Sequence, residues 1–349
     1  FLDMQDKIQQ LEKIVAKQQE TIEKQENDIE SLKRLQRVGE ELKKENESIT
    51  KEKNTEKINK FSLSAALGLD VSLRASWIVM GVNGTKKRVS EEGDRVDSAA
   101  VFELSFALSP VENGKAYILL EGGSGENTGM DGKIATFGGI IDESGYETNI
   151  KLSEAWYEHS FLEGVVKFQI GKIDVSNNFD TNMVANYGLD QFVSTALVVN
   201  NTVEIPWPQT FGAMLSIEPI DWFTFSFALA DANSDWDTIF ENLFMICETN
   251  FKISQKEAEW TGNYRFYFWV NDNEHINLRE NDGEHTGYGF GLSFDQSIAG
   301  LFSLFARYGT RREKIYEFKE ALSAGFEIKG KIWNRPEDVF AVGWSQIFP

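Results

Sequence analysis

The stretch NYRFYFWVN at 263–271 alternates without a break. Tyr264, Phe266, Phe268 and Val270 fall on one face, and Arg265, Tyr267 and Trp269 on the other. That is the two-residue period of a strand, not the 3.6-residue period of a helix. The pattern recurs on both sides of it. In 222–231 (WFTFSFALAD), Phe223, Phe225, Phe227 and Leu229 oppose Thr224, Ser226 and Ala228. In 287–295 (GYGFGLSFD), Tyr288, Phe290, Leu292 and Phe294 oppose three glycines and Ser293. In 320–330, Leu322, Ala324, Phe326 and Ile328 oppose Ser323, Gly325, Glu327 and Lys329. Stretches 99–109, 115–121, 151–160, 164–172, 210–218, 301–309 and 338–346 behave alike, with Gly, Asn and Asp between them. The count comes to about 13 strands, and an all-β domain follows.

A soluble sandwich alternates too, so the period alone leaves two all-β classes open. Three details favour a transmembrane β-barrel. The apolar face is large and aromatic, while the other face is small or charged. Segments of about ten residues match a tilted membrane strand. Trp222, Tyr264, Tyr288, Tyr308 and Trp344 sit at segment ends, where an interfacial girdle places them.

Composition narrows the classes further. Among 349 residues, 35 Lys+Arg face 55 Asp+Glu, a net charge of −20. Nucleic-acid binding needs clustered cations, so it is not expected. One cysteine, Cys247, excludes an intrachain disulfide and a Cys-rich zinc site. Three histidines, His159, His275 and His285, are too few and scattered for a His-based metal centre. No metal or cofactor is expected. No run of 18 apolar residues exists, so no transmembrane helix is predicted, yet the chain carries 26 Phe, 9 Trp and 9 Tyr.

That aromatic load is unevenly placed. Residues 1–60 contain no Pro, Trp or Tyr and carry 13 basic against 14 acidic groups. Ile8, Leu11, Val15, Gln18, Ile22, Gln25, Ile29 and Leu32 recur at alternating spacings of three and four. Leu35, Val38, Leu42 and Ile49 continue the stripe, with a stammer around Leu35. The first 60 residues therefore read as an α-helical coiled coil, with Gln18 and Gln25 as polar core positions that fix register. A boundary near 58–62 separates it from a β domain over 61–349, which holds nearly all the net charge.

Longer strings in the β domain carry a resemblance. EAWYEH (154–159), VVKFQIGKID (165–174) and FDTNMVANYGLDQFVSTALVVNN (179–201) form one ordered block. GNYRFYFWVND (262–272), LFARYG (304–309) and FEIKGKIWNRPEDVFAVGWSQ (326–346) follow. In their order and spacing these resemble the carbohydrate-selective porins, the OprB-like outer-membrane family. The resemblance implies a 16-stranded barrel, with periplasmic turns and long external loops, through which sugars and other small solutes diffuse passively. A homotrimer held through the coil and the barrel is expected, with the barrel in outer-membrane lipid and the coil in the periplasm. Some members carry such a coil before the barrel. The family continues past the RPEDV string, and Phe1 is not an initiator Met; a signal peptide upstream and about three strands downstream are therefore expected.

Strand parity supplies candidate pore-lining residues. Arg265 and Arg307 lie on polar faces, Glu154 and Glu158 share a face, and so do Glu327 and Lys329. Tyr267 and Trp269 also face inward, where aromatic rings stack on sugars. Segment 175–205 breaks the period and is rich in Asn177, Asn178, Asp180, Asn182, Asn186, Asp190, Asn200 and Asn201. It resembles the family loop that folds into the channel, and neutral amides suit sugar hydroxyls better than ions; an external loop with Asn at its turns is the plain alternative. Segment 231–248 is expected to hold a short loop helix capped by Asp235, with Phe240 and Leu243 beneath, and Asp231 and Trp236 as lumen candidates. His275 and His285 read as surface residues, and Gly287, Gly289 and Gly291 as positions that thin a strand face.

Glycine runs at 122–125 and 287–291 lack the Lys-Ser/Thr of a phosphate loop, and no G-x-S-x-G elbow occurs. An enzyme is not supported. The function expected is an outer-membrane porin. The alternatives are a structural anchor that links the membrane to the cell wall through the coil, and a soluble carbohydrate-binding β domain.

Overall fold

The computed structural model of the chain describes residues 68–82, 95–124, 149–236, 238, 239, 241–255, 259–278 and 284–348. The predicted coiled coil of 1–60 lies outside them. Among the described residues, thirteen strands form one sheet in simple sequence order, each antiparallel to the next. They are β1 (Asp70–Val82), β2 (Arg95–Leu108), β3 (Gly114–Ser124), β4 (Lys151–Phe161), β5 (Val166–Ile173), β6 (Thr210–Ile220) and β7 (Phe223–Asp231). There follow β8 (Leu243–Gln255), β9 (Trp260–Ile276), β10 (Glu284–Ile298), β11 (Phe302–Arg311), β12 (Glu320–Lys329) and β13 (Val339–Phe348). No ladder joins β1 to β13 among the described residues.

Two of these strands were not expected. In β8, Phe244 and Ile246 are apolar on the inward face as well, and both are buried. With Met245 and Cys247 on the other face, the period is hidden. In β1, Trp77, Ile78 and Val79 are apolar in succession and hide it similarly. No helix occurs among the described residues of the predicted loop: β7 runs to Asp231 and β8 begins at Leu243. Asp235 Oδ1 instead accepts the Thr238 amide at 3.2 Å, a local turn. Phe240 lies outside the described residues.

The register separates the two faces. Phe168, Leu215, Phe227, Cys247, Phe268 and Phe290 line up across six strands. The next row on the opposite face reads Lys167, Ser216, Ser226, Glu248, Tyr267, Gly291 and Gly309. On the aromatic face, Phe268 is 46% and Phe290 50% exposed. A soluble monomer rarely shows a continuous apolar patch beyond a few hundred Å². A belt that crosses the sheet from Trp77 to Trp344 is therefore a lipid-facing surface. Trp222, Tyr288 and Trp344 of the expected girdle are exposed on it, and Trp222 stacks on Phe251 at 6.4 Å.

The connections also alternate. Those at 109–113, 162–165, 221–222, 256–259, 299–301 and 330–338 are short, and the intervening ones are mostly longer. Antiparallel order puts all the short ones at one end. The longest connection between neighbouring strands whose residues are all described, 174–209, reaches both edges of the sheet. Asp190 pairs with Arg74 of β1 at 3.2 Å, while Leu197 and Phe192 lie against Gly343 of β13. One segment touches both edge strands only if the sheet curls around it, so the glycine-rich face is the inside.

A charge on the outer belt should therefore be costly where one on the inner wall is not. Phe268→Lys is expected to lower stability in lipid vesicles by about 2–4 kcal/mol. Ser72→Lys, on the wall of the inner cavity, should stay within about 0.5 kcal/mol. Urea titration of the vesicle-inserted protein checks both.

Candidate functional site

The inner segment leaves β5 through a turn that Asp174 caps. Its Oδ1 accepts the Ser176 amide at 2.8 Å. The segment then lies on the inner wall with Phe179, Val184 and Val198 buried, includes one helical turn at Thr195–Val198, and rejoins the sheet at Thr210. Two glycines admit it to close approach. A Cβ at Gly309 would stand 2.0 Å from Thr202 Oγ1. One at Gly291 would stand 2.3 Å from the Tyr267 ring, which lies beneath the segment.

Its main clamp is ionic. Arg307 of β11 is 1% exposed. Its Nε lies 3.1 Å from Asp180 Oδ2, and its Nη2 donates to the Asp180 carbonyl at 2.8 Å. Nη1 donates to the carbonyls of Ala185 and, at 2.8 Å, Leu197. One guanidinium thus gathers three separated points of the segment, a fork geometry that lysine does not provide. Asp180 is held from other sides as well. Its Oδ1 accepts the Tyr267 hydroxyl at 2.8 Å, its Oδ2 accepts the Asn200 amide at 2.8 Å, and its own amide donates to Glu248 Oε2 at 2.9 Å.

Further polar contacts pin the segment on both sides of the clamp. Asn182 Nδ2 donates to the Phe294 carbonyl at 2.9 Å, and Asn186 Oδ1 accepts the Asn182 amide at 3.0 Å. Arg265 Nη1 bonds Asp295 Oδ2 at 2.6 Å, and the same carboxylate oxygen accepts the Met183 amide at 3.2 Å. Near the far end, Glu204 contacts His275 Nε2 at 2.9 Å and accepts from the Tyr316 hydroxyl. Burial and the Glu204 carboxylate push the Tyr316 hydroxyl above its ordinary value, so it remains a donor. His275 and His285 are paired opposite each other on β9 and β10 rather than in a surface loop.

Beside the segment lies a cavity of about 980 Å³. Its walls include Arg74, Glu103, Glu121, Glu154, Asn186 and Tyr187. Arg74 stands 3.5 Å from Glu103 and 4.6 Å over the Tyr187 ring. Trp207 is 70% exposed at the cavity. Arg74, Glu103 and Trp207 were not among the candidates. Glu103 lies on the polar parity of β2, so the two-residue period could have found it; Arg74 lies in β1, whose period is hidden, and Trp207 sits in an irregular stretch that gives no such signal.

The predicted residues divide into three groups. Asp180, Asn182, Asn186, Arg265, Tyr267 and Arg307 meet, together with Trp269, in or beside the anchoring network. Tyr267 and Trp269 face inward as expected, but both are buried beneath the segment, so they offer no ring face to a solute. Parity assigns a face and says nothing of what covers it. Glu154 lines the cavity, accepting from Trp156 Nε1 at 2.9 Å and Asn177 Nδ2 at 3.0 Å. Asp190 is at its edge, paired with Arg74. The others lie apart. Glu158 is half-buried on the Glu154 face, and Asp231 is buried against Thr210 Oγ1 at 3.2 Å. Trp236 packs on Phe211 and Lys172, which belong to the outward parity, so it stands on the outer rim and not in the lumen.

A sheet with a lipid-facing exterior, curled around an inner segment beside a polar cavity, defines a β-barrel-type membrane channel. The family model described as "Carbohydrate-selective porin, OprB family" matches residues 91–349. A high-pH structure of Pseudomonas putida OprB is similar, with a TM-score of 0.68 and 15% identity over 82% of this chain and 76% of that one. A low-pH structure of that protein gives a TM-score of 0.48 and 14% identity over 82% and 79%. A sequence search of curated proteins finds no match. The chain belongs to the OprB family of carbohydrate-selective porins, which are channels rather than enzymes. Family and fold place it in the outer membrane.

Removing Arg307 leaves Asp180 buried without its cation, a loss of about 3–5 kcal/mol for a buried pair. Arg307→Met is expected to release the inner segment, raise single-channel conductance and open 183–194 to protease. Adding Asp180→Asn should recover part of the native conductance. Native conductance and protease resistance in Arg307→Met would show that the clamp does not hold the segment.

Proposed function

We propose that the described lumen is the path for passive diffusion of carbohydrates and other small hydrophilic solutes. The cavity beside the inner segment carries this reading, because its wall mixes amides, carboxylates, cations and an exposed indole. A sugar entering it exchanges water for side-chain partners, and each exchange is worth only about 0.5–1.5 kcal/mol net. Contacts that weak favour entry and still permit release. Glu154, Asn186 and Asp190 are the predicted residues placed to touch solute first. Asp180, Asn182, Arg265, Tyr267, Trp269 and Arg307 act by fixing the segment that narrows the way.

The long connections form the outer mouth in this reading and the short ones face the periplasm. We also propose that residues 1–60 act as a periplasmic coiled coil that trimerises, and that holds the barrels together or spaces them from the cell wall. Deleting 1–58 is expected to weaken oligomers in crosslinking without abolishing single-channel conductance.

Liposome swelling tests the main reading. Vesicles containing the protein should swell in isotonic monosaccharide and progressively less in longer oligosaccharides. An anchor without a channel gives no swelling with any sugar and no sugar-sensitive conductance. The cavity wall holds Glu103, Glu121, Glu154, Asp174 and Glu317 against Arg74, Lys151 and Arg311, while Asp180 is balanced by Arg307. Cations should therefore pass more readily than chloride in a salt gradient, and Glu121→Gln should reduce that preference.

A further inference from the structure

The far end of the inner segment is held by a group that titrates near neutrality, and that group sits at the long-connection end of the sheet. Beyond Val270, the outward positions of β9 are Asp272, Glu274 and Ile276, all exposed. The strand has left the apolar belt there, so His275, on the inward parity, stands at the mouth of the lumen. Three chain segments meet on it. Glu204 comes from the inner segment, between Val203 and Ile205, which line the large cavity. His275 comes from β9, and Tyr316 from the connection 312–319. Gly287 of β10 makes room for them. A Cβ there would stand 3.2 Å from both Glu204 Oε2 and His275 Cε1 and would overlap the Tyr316 hydroxyl.

The partners of His275 fix its protonation. Nε2 lies 2.9 Å from both carboxylate oxygens of Glu204, and Nδ1 lies 3.1 Å from the His285 carbonyl oxygen. Both partners are acceptors, and an imidazole satisfies two acceptors only when both nitrogens carry protons. The ring is therefore an imidazolium. His285 is placed the other way, since Arg312 Nη2, a donor, faces its Nδ1 at 3.3 Å. The hydrogen bond to Glu204 holds the His275 ring above its ordinary value, against partial burial that pushes it down. The remaining neighbours keep their state near neutral pH. Arg311 stands 4.2 Å over the Tyr316 ring, and the Tyr316 hydroxyl keeps its proton. When His275 loses a proton, one of its two acceptors loses a donor. The Tyr316 hydroxyl, 3.3 Å from Nε2, then has one proton for both a bare nitrogen and the Glu204 carboxylate. The grip on the segment is complete from about pH 5 to the ordinary histidine range. It fades as pH rises through the raised value of the folded ring.

We propose that Glu204, His275 and Tyr316 form a pH-operated latch at the mouth of the lumen, which fastens the far end of the inner segment while His275 is charged and frees it at alkaline pH. The latch rests on the porin reading and adds a regulated width to the channel. Single-channel conductance in planar bilayers at fixed salt, titrated from about pH 6 to about pH 9, reads it. The native channel should show a reversible rise, because the released fraction grows by up to about tenfold per pH unit above the ring's own value. His275→Gln carries no charge and should show the alkaline conductance throughout. His275→Arg is charged throughout and should keep the acid-side conductance at every pH. Glu204→Gln removes the carboxylate that favours the charged ring and should move the midpoint down by about one pH unit. A purely structural contact would leave the pH profile of all three variants like that of the native channel, and that result overturns the latch. A native conductance that does not change with pH overturns it as well, and in both cases the porin reading stands. No conductance at any pH would remove both.

Discussion

Lipid offers no partner to a backbone amide or carbonyl, so a strand in it must find its hydrogen bonds in another strand. Every described strand here does so with its neighbour in sequence. The remaining architecture follows from that constraint. A strand that is paired on both sides has two faces and a two-residue period, and lipid on one side admits only apolar groups. The row Phe168, Leu215, Phe227, Cys247, Phe268 and Phe290 is its result. Freed of that demand, the opposite face varies between glycine, serine and charged residues.

Polar freedom on the inside brings its own problem. Charged residues packed at low dielectric need partners, and the inner segment supplies them. Arg307 and Asp180 illustrate the exchange. Neither would be tolerated alone at such burial, yet together they bind a segment that breaks the strand period to the wall that keeps it. Glycine makes the contact possible: at Gly309 and Gly291 even one added carbon would overlap the segment or the ring beneath it. The narrowing of the lumen therefore arises from small residues on the wall as much as from large ones on the segment.

The outer belt was legible because lipid imposes one rule on every strand. Arg265, Tyr267 and Arg307 were placed on the correct face by the same rule, but not their burial, because alternation carries no record of a distant segment lying across the sheet. The segment also hid β8, whose Phe244 and Ile246 are apolar inside for the sake of what covers them. Trp236 was misplaced for a related reason: its loop has no period, so nothing local says which side of the rim it takes. Composition alone points to Asn182 and Asn186 as solute contacts. Asn182 anchors the segment; Asn186 does so too and also lines the cavity.

The central claim is that residues 174–209 lie inside the lumen and are fixed to its wall. Asn182 Nδ2 and Ser293 Oγ are 3.3 Å apart, so a disulfide between these positions reads the placement directly. In a Cys247→Ser background, Asn182→Cys with Ser293→Cys should crosslink on mild oxidation, with single-channel conductance kept at the native level. No crosslink, or a crosslink that changes the conductance severalfold, would place the segment elsewhere and contradict the account.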